Sequence, residues 1–391
     1  MDTQPSAAQT SALGDIDTEY RYHPMPCPGE TGGGRPGRRR KAPRETKRPV
    51  GQALAQIVKR FAPWLWEAFD GVDDLREDPR YAMRQVLCLA VLMFACRVKS
   101  LRRLDEIRDD ARFRDNWCVF SRARSDTVVC SRQMTNILCA TPAEQLGDLR
   151  FRLIKDMIRH KQLSEGFLLK HLMVISDGSG IYASSAPHCP ECLFQEHQDG
   201  SKTYLHNVLE VKVIPWGGLA LSLMTEPLLN PGGGKYDKQD CESKAFKRVL
   251  SRIKEVFPRE PLVHLLDSLY CNGPALNAIA ALDQKFIACF KPGSIPTLYE
   301  ESLTLRQLAP NNRSVRTLVR DGHRVKQIFT WANALEYQEL TLDFVMCEET
   351  VEGKTTTFAY LSNFTVDREN VITIAEGGRK RWTIENQRFN E

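Results

Sequence analysis

The order of short apolar runs after His171 constrains the fold of this chain more than any other feature. Three β-branched or aliphatic runs read as successive strands: HLMVIS, YLHNVLEVKVIPW and LALSLMTEPLL. An amphipathic helix over 237–257 follows, and then a strand (LVHLLD), a helix over 273–282 and a strand (KFIACFK). Strands that alternate with helices after an initial run of strands predict an α/β fold with a mixed sheet.

The region before this pattern, residues 51–167, has apolar residues at three-to-four spacing, which predicts an α-helical domain and a candidate DNA-binding domain. The eleven apolar residues from Val86 to Cys96 are about half of the roughly 20 that a membrane-spanning helix needs, so they predict a buried core helix. Thr141, Pro142 and Glu144 match the N-cap, N1 and N3 positions of a capping box and predict a helix start.

After the last strand of the α/β pattern, the sequence becomes strand-like and polar. Asp321-Gly322 and Glu352-Gly353 are hairpin signals within this stretch. They predict a β-rich insertion at about 293–365, inside a catalytic domain that spans 168–391.

Positive charge is concentrated near the N-terminus. The net charge is only +5, but the stretch 35–48 holds eight basic residues against one acid, which leaves 46 basic and 48 acidic residues elsewhere. Its Gly/Pro-rich composition predicts a disordered basic tail over residues 1–50 that binds DNA phosphates, or else a solvated tail without a specific partner. The densest part of the run is Arg38, Arg39, Arg40 and Lys41.

The N-terminus has no basic segment followed by an apolar one, so nothing in it directs export. We therefore expect a cytoplasmic protein that does not associate with membranes. In that reducing compartment the twelve cysteines are expected to be free thiols or metal ligands.

Carboxylates occupy the points where two predicted strands end. Asp177 follows the first strand in ISDGSG, and Asp267 follows the fourth in LLDSLYCNG. If the two strands are neighbours, the carboxylates face each other and repel unless a divalent cation lies between them. Mg²⁺ prefers such oxygen ligands, although each aspartate alone is also typical of a turn or a cap.

Two further segments supply acids. Arg381 and Glu385 are four residues apart in RWTIEN, on one face of a predicted C-terminal helix, where the alternative is an ordinary surface ion pair. Glu242 lies in the first turn of the helix over 237–257, where capping explains it, and we keep it as a reserve acid for a metal site.

With these motifs, the chain resembles bacterial insertion-sequence transposases of the DDE class, which have a ribonuclease H-like catalytic core. The resemblance covers about Leu172 to Glu391 and is carried by DGSG, LLDSLYCNGP and RWTIENQRFN. The intervals of 90 residues between the two aspartates and 118 from Asp267 to Glu385 agree with a core that has a β-strand insertion in its last interval.

The resemblance implies a function. The family's metal-binding acids fall on Asp177, Asp267 and Glu385, which would hold two Mg²⁺ or Mn²⁺ ions, and Arg381 matches an arginine expected to contact DNA phosphate. The implied activity is metal-dependent cleavage and strand transfer of double-stranded DNA at element ends, by a homodimer on DNA. Two departures are Gly378, where the family has a tyrosine, and an end at Glu391 before an expected lysine.

These departures favour an alternative, a catalytically inactive, truncated transposase derivative that binds DNA. Metal-dependent nicking would separate this alternative from an active transposase.

A cysteine and histidine cluster lies between the first and second strands. The spacing C-x₂-C followed by histidines predicts a tetrahedral structural zinc site with the ligands Cys189, Cys192, His197 and His206. The alternative is a reduced thiol pair in a loop.

Overall fold

The computed structural model describes residues 49–124, 127–214, 220–230 and 240–381, all of which belong to one compact unit. Within these ranges the first helices are α1 (Val50–Phe61), α2 (Leu65–Asp70), α3 (Met83–Ala95), α4 (Leu101–Ile107), α5 (Ala111–Ser121), α6 (Ser131–Ala140) and α7 (Ala143–Arg159). They surround a core of their own that includes Leu89, Trp117 and Phe120, each fully buried. Helix α3 confirms the predicted buried helix.

The capping box predicted at Thr141 is wrong. Helix α7 begins at Ala143 with Pro142 as its N-cap, and no side chain caps it. The Thr141 hydroxyl instead donates to the Ile137 carbonyl at 2.8 Å, because Thr141 is buried at the end of α6.

The rest of the described chain is built on one mixed sheet. Its strands are β1 (Phe167–Leu168), β2 (His171–Ser184), β3 (Leu193–Glu196), β4 (Lys202–Val213), β5 (Leu221–Leu228), β6 (Leu262–Leu266), β7 (Lys285–Cys289), β8 (Arg313–Arg320), β9 (His323–Tyr337), β10 (Leu340–Val351) and β11 (Lys354–Ser362). The order is β3-β4-β2-β6-β7-β11-β10-β9-β8, with β5 also paired to β4 and β1 to β2. Strands β2, β6 and β7 are parallel, and their other neighbours β4 and β11 are antiparallel to them.

Four helices accompany the sheet in the described ranges: α8 (Glu242–Val256), α9 (Gly273–Ala280), α10 (Pro296–Leu308) and α11 (Val371–Lys380). One face of the sheet packs on α7 to α10, and Phe246 and Leu276 are buried there. The other face packs on α11 through Val371 and Ile374. The mixed α/β architecture predicted from the sequence is confirmed.

The segment predicted as β-rich contains one helix as well as strands. Helix α10 was not predicted; Pro296 starts it at N1, and Leu298 is buried against the sheet. Strands β8 to β11 follow as antiparallel hairpins, and Asp321-Gly322 and Glu352-Gly353 turn the chain with positive φ at both residues, as predicted. Because β11 pairs with β7, these strands extend the central sheet.

Among the described helices, none combines the length and the apolar character needed to cross a membrane.

Candidate functional site

Asp177 and Asp267 take equivalent places on neighbouring parallel strands. The pairing of β2 with β6 runs from Leu172 opposite Leu262 to Ile175 opposite Leu265, a constant offset of 90 residues. The same offset separates the two aspartates, so their backbones lie side by side at the carboxyl edge of the sheet, about 5 Å apart if the strand spacing continues. Asp267 directly follows β6 and caps a 3₁₀ turn by accepting from the Ser268 amide.

Helix α8 brings a third carboxylate to this edge. Glu242 is its first residue, and the carboxylate lies so close over Gly178 of β2 that a Cβ at position 178 would overlap it. The Tyr270 hydroxyl donates to Glu242 Oε2 at 3.2 Å. Burial raises the pKa of Glu242, and the charges of Asp177 and Asp267 raise it further.

Asp267 has a cationic partner. The Arg381 guanidinium donates to Asp267 Oδ2 at 2.8 Å, and the Arg381 side chain is only 6% exposed. Burial works against the charged form of Asp267, but Arg381, the hydrogen bonds from Ser268 and the charge of Lys291 outweigh it and lower the pKa of Asp267. At this edge Asp267 is therefore ion-paired, and Glu242 is pushed toward its neutral form.

Helix α11 is held against the sheet by close backbone contacts. A Cβ at Gly378 would overlap the ring of Tyr360, and a Cβ at Gly377 would overlap Leu168. The position that resembles the family's tyrosine is thus one where no side chain fits. Arg381 follows the helix directly, which points its guanidinium at Asp267.

The remaining residues predicted for DNA cleavage and binding lie outside the described residues. They are Glu385, Arg38, Arg39, Arg40 and Lys41. The role of Arg381 in contacting phosphate stays a prediction. Its guanidinium would have to leave Asp267 for that contact.

The carboxyl edge has the donor chemistry that a divalent cation requires. Asp177, Asp267 and Glu242 offer carboxylate oxygens, the ligands that Mg²⁺ prefers. The pKa of Glu242 is raised first by burial and then by the charges of Asp177 and Asp267, and a cation would offset this charge repulsion. The oxygens of these three acids do not all lie within 4.8 Å of one another. Among the described residues, the one group of three ligand side chains that meets this limit consists of two cysteines and a histidine. The acids fit a divalent cation in ligand type, and they would have to come closer together to bind one.

The Cys/His group lies on the loop between β2 and β3 and on β4. Cys189 Sγ and Cys192 Sγ are 3.8 Å apart, and His206 Nε2 is 3.5 Å from the first and 3.2 Å from the second. Burial opposes the thiolate of Cys192, but backbone N–H groups of Cys189 and His188 and the Cys189 thiol outweigh it and lower the pKa of Cys192.

His197, the fourth ligand predicted from the sequence, is not brought to this group. Its Nε2 makes a hydrogen bond with Thr203 Oγ1 at 2.7 Å.

Sequence reasoning missed Tyr270 and Lys291 as members of the acidic edge. Tyr270 lies shortly after β6 and Lys291 shortly after β7, and the carboxyl ends of both strands face the site. A position just after a parallel strand was therefore the sequence signal that could have predicted both residues.

Comparison of the chain with protein families and with curated proteins finds no matching family and no similar curated protein.

Proposed function

We propose that this chain is a transposase of the DDE class, which cuts double-stranded DNA at element ends and joins the strands with Mg²⁺ or Mn²⁺. The observation that carries the proposal is that three acids come together: Asp177 lies on β2, Asp267 directly follows the neighbouring parallel strand β6, and the charges of both act on Glu242. Carboxylates that meet near the carboxyl edge of an α/β sheet are typical of a metal-dependent phosphoryl-transfer site.

The strand order supports a ribonuclease H-like core. The first long strand, β2, lies in the middle. On one side it pairs with β4, which is antiparallel to it, and β4 pairs in turn with β5, which is antiparallel to β4; on the other side β6 and then β7 are parallel to β2. Helix α8 connects β5 to β6, and α9 connects β6 to β7. Apart from the short strands β1 and β3, the order of three strands, helix, strand, helix, strand agrees with the core that the sequence resemblance implies.

In this proposal Asp177 and Asp267 hold the cations, and Glu385 or Glu242 completes the set. A bound divalent cation would activate the attacking hydroxyl and stabilise the leaving 3′ oxygen. Glu242, whose pKa is raised, is suited to exchange a proton at the edge. Without DNA, the Arg381 guanidinium is paired with Asp267, which holds it near the place where the scissile strand would bind. When DNA binds, Arg381 pairs with a DNA phosphate instead.

Nicking of supercoiled plasmid DNA that carries the sequences flanking the gene tests this proposal. With Mn²⁺ or Mg²⁺ present, the wild-type chain should nick the plasmid, and Asp177→Asn and Asp267→Asn should each abolish nicking. Asp283→Asn is a matched control, because Asp283 is exposed, lies at the other end of the same strands and has a φ of 56° that asparagine adopts readily. Nicking by Asp177→Asn at the wild-type rate would refute the assignment.

The Arg381–Asp267 ion pair also favours a second candidate function, DNA binding without chemistry. It neutralises one of the two aspartates that would hold the metal. This candidate predicts salt-dependent DNA binding by a chain that never nicks DNA with either cation.

The basic tail should contribute to binding in both cases. Replacement of Arg38, Arg39, Arg40 and Lys41 by alanine should lower the slope of log K against log salt by about 3.6, at ~0.9 per phosphate contact. An unchanged slope would refute phosphate contact by this run.

A further inference from the structure

The second site that the structure points to is a zinc site, separate from the acidic edge. We propose that Cys189, Cys192, His206 and His188 bind one structural zinc ion, with His188 in place of the histidine that the sequence spacing indicated.

The distances among three ligand atoms are those of a tetrahedral zinc site. With Zn–S near 2.3 Å and Zn–N near 2.05 Å, tetrahedral angles place two sulfurs about 3.8 Å apart and a sulfur and a nitrogen about 3.6 Å apart. Cys189 Sγ and Cys192 Sγ are 3.8 Å apart, and their distances to His206 Nε2 are 3.5 and 3.2 Å. Three corners of the tetrahedron are therefore in place.

The loop backbone supports the sulfur ligands. The amides of His188 and Cys189 both donate to Cys192 Sγ at 3.3 Å, and Cys192 is buried. Amide donors to a metal-bound sulfur are the outer-shell contacts that orient and stabilise a thiolate ligand. A loop folded around Cys192 in this way serves metal binding better than it serves packing.

His188 is the side chain positioned for the fourth corner. Its ring centroid is 6.2 Å from that of His206, and the rings are nearly perpendicular. Two imidazoles on one tetrahedral zinc have centroids about 5 Å apart. The His188 nitrogens do not belong to the group of ligand atoms that Cys189, Cys192 and His206 form, so the exposed His188 side chain would have to move inward to complete the set. His197 is instead engaged with Thr203.

Four protein ligands leave no open position, so the zinc would be structural. It would join the loop after β2 to β4, where Tyr182 of β2 pairs with His206. On the same two strands Asp177 pairs with Glu210, five residues nearer the sheet centre. The metal would fix the outer end of the β2–β4 ribbon, which the four-residue strand β3 holds on one side only.

The test is zinc analysis and X-ray absorption spectroscopy of the full chain, purified without chelators. We expect one zinc per chain, coordinated by two sulfur and two imidazole nitrogen atoms. A chain that carries no zinc and binds none on titration with a competing chromophoric chelator overturns the proposal, whether or not the protein nicks DNA.

A matched pair of variants tests the fourth ligand. His188→Gln should raise the zinc Kd at least about tenfold, since loss of a direct ligand should cost no less than loss of an outer-shell contact. His197→Gln should leave the zinc Kd unchanged. Cys192→Ser should not retain zinc. Cys139→Ser removes an exposed cysteine of α6 and is the control for the loss of a thiol; it should retain zinc. Wild-type affinity in His188→Gln overturns its assignment, and the sulfur-to-nitrogen ratio of the wild-type zinc site checks it without any variant.

Discussion

Glu349 should stabilise the fold through a buried ion-pair network. Its side chain on β10 is only 8% exposed and accepts from Arg320 at 3.0 and 3.1 Å, from Arg379 at 2.5 Å and from Gln327 at 2.6 Å. Burial alone would raise the pKa of Glu349, but these hydrogen bonds outweigh it and lower the pKa from 4.5 to about 2.

The size of the effect follows from linkage between protonation and folding. Because the folded pKa lies below the unfolded one, the charged form stabilises the fold above pH 4.5, and this contribution is lost as the pH falls toward 2. At ~1.4 kcal/mol per pH unit it amounts to about 3 kcal/mol at pH 7, and to about half of that near pH 3. Glu349→Gln imitates the protonated state, so it should lower the free energy of unfolding by these amounts.

Urea denaturation at several pH values between 7 and 3 measures the difference between wild type and Glu349→Gln. The difference should be near 3 kcal/mol at pH 6–7 and should shrink by about half at pH 3. Glu339→Gln, at an exposed acid in the turn before β10, is the control and should change stability by less than ~0.5 kcal/mol. A Glu349→Gln difference that stays constant with pH would refute the reasoning.

Four other substitutions test the backbone, the packing and the burial of one histidine. Gly178→Ala should reduce nicking, because the Cβ would displace the Glu242 carboxylate, and unchanged nicking would contradict that contact. Since the carboxylate is the end of a flexible side chain, the loss of stability should be about 1 kcal/mol or less. Gly353 has a φ of 81°, so Gly353→Ala should lower the free energy of unfolding, measured by urea denaturation, by about 1 kcal/mol. Gly147 lies in α7, where a Cβ would meet nothing within 4 Å, so Gly147→Ala should raise the free energy of unfolding by about 0.5–1 kcal/mol. Burial lowers the pKa of His264 to about 4, so the unfolded chain binds a proton at this histidine more readily than the folded chain does. The free energy of unfolding of the wild type should therefore fall by about 3 kcal/mol between pH 7 and pH 4 because of this group. The His264→Phe variant should not show this part of the pH dependence.

Most strands of the central sheet could be predicted because they are short apolar runs closed by strong breakers. The first strand is an exception: Asp177 was expected to follow it, but β2 continues through Asp177 to Ser184. The run LVHLLD became β6 (Leu262–Leu266), and its terminal aspartate lies one residue beyond the strand, as predicted. Asp321-Gly322 and Glu352-Gly353 became tight turns because local backbone chemistry decides them. Such features depend on neighbours in the sequence, which is why sequence patterns identify them.

Features decided by tertiary contacts could not be read in the same way. Thr141 has the residue type of an N-cap, but its burial at the end of α6 directs its hydroxyl backward to Ile137. His197 has a ligand's spacing, yet the turn between β3 and β4 places it beside Thr203. Glu242 looks like a capping acid in the sequence, and only the packing of α8 over Gly178 brings it to the acidic edge.

The end of helix α11 connects the Glu349 network to the acidic edge. Arg379 and Arg381 are two residues apart there, and they are bound by Glu349 on β10 and by Asp267 after β6. Because Gly377 and Gly378 press the helix onto Leu168 and Tyr360, its end has little room to move as a body. If the proposed function holds, Arg381 would reach a phosphate by side-chain rotation while Arg379 keeps the helix in place. A Glu349→Gln variant that folds should therefore weaken the hold on Arg381 as well, and its DNA binding should change even though Glu349 does not belong to the acidic edge.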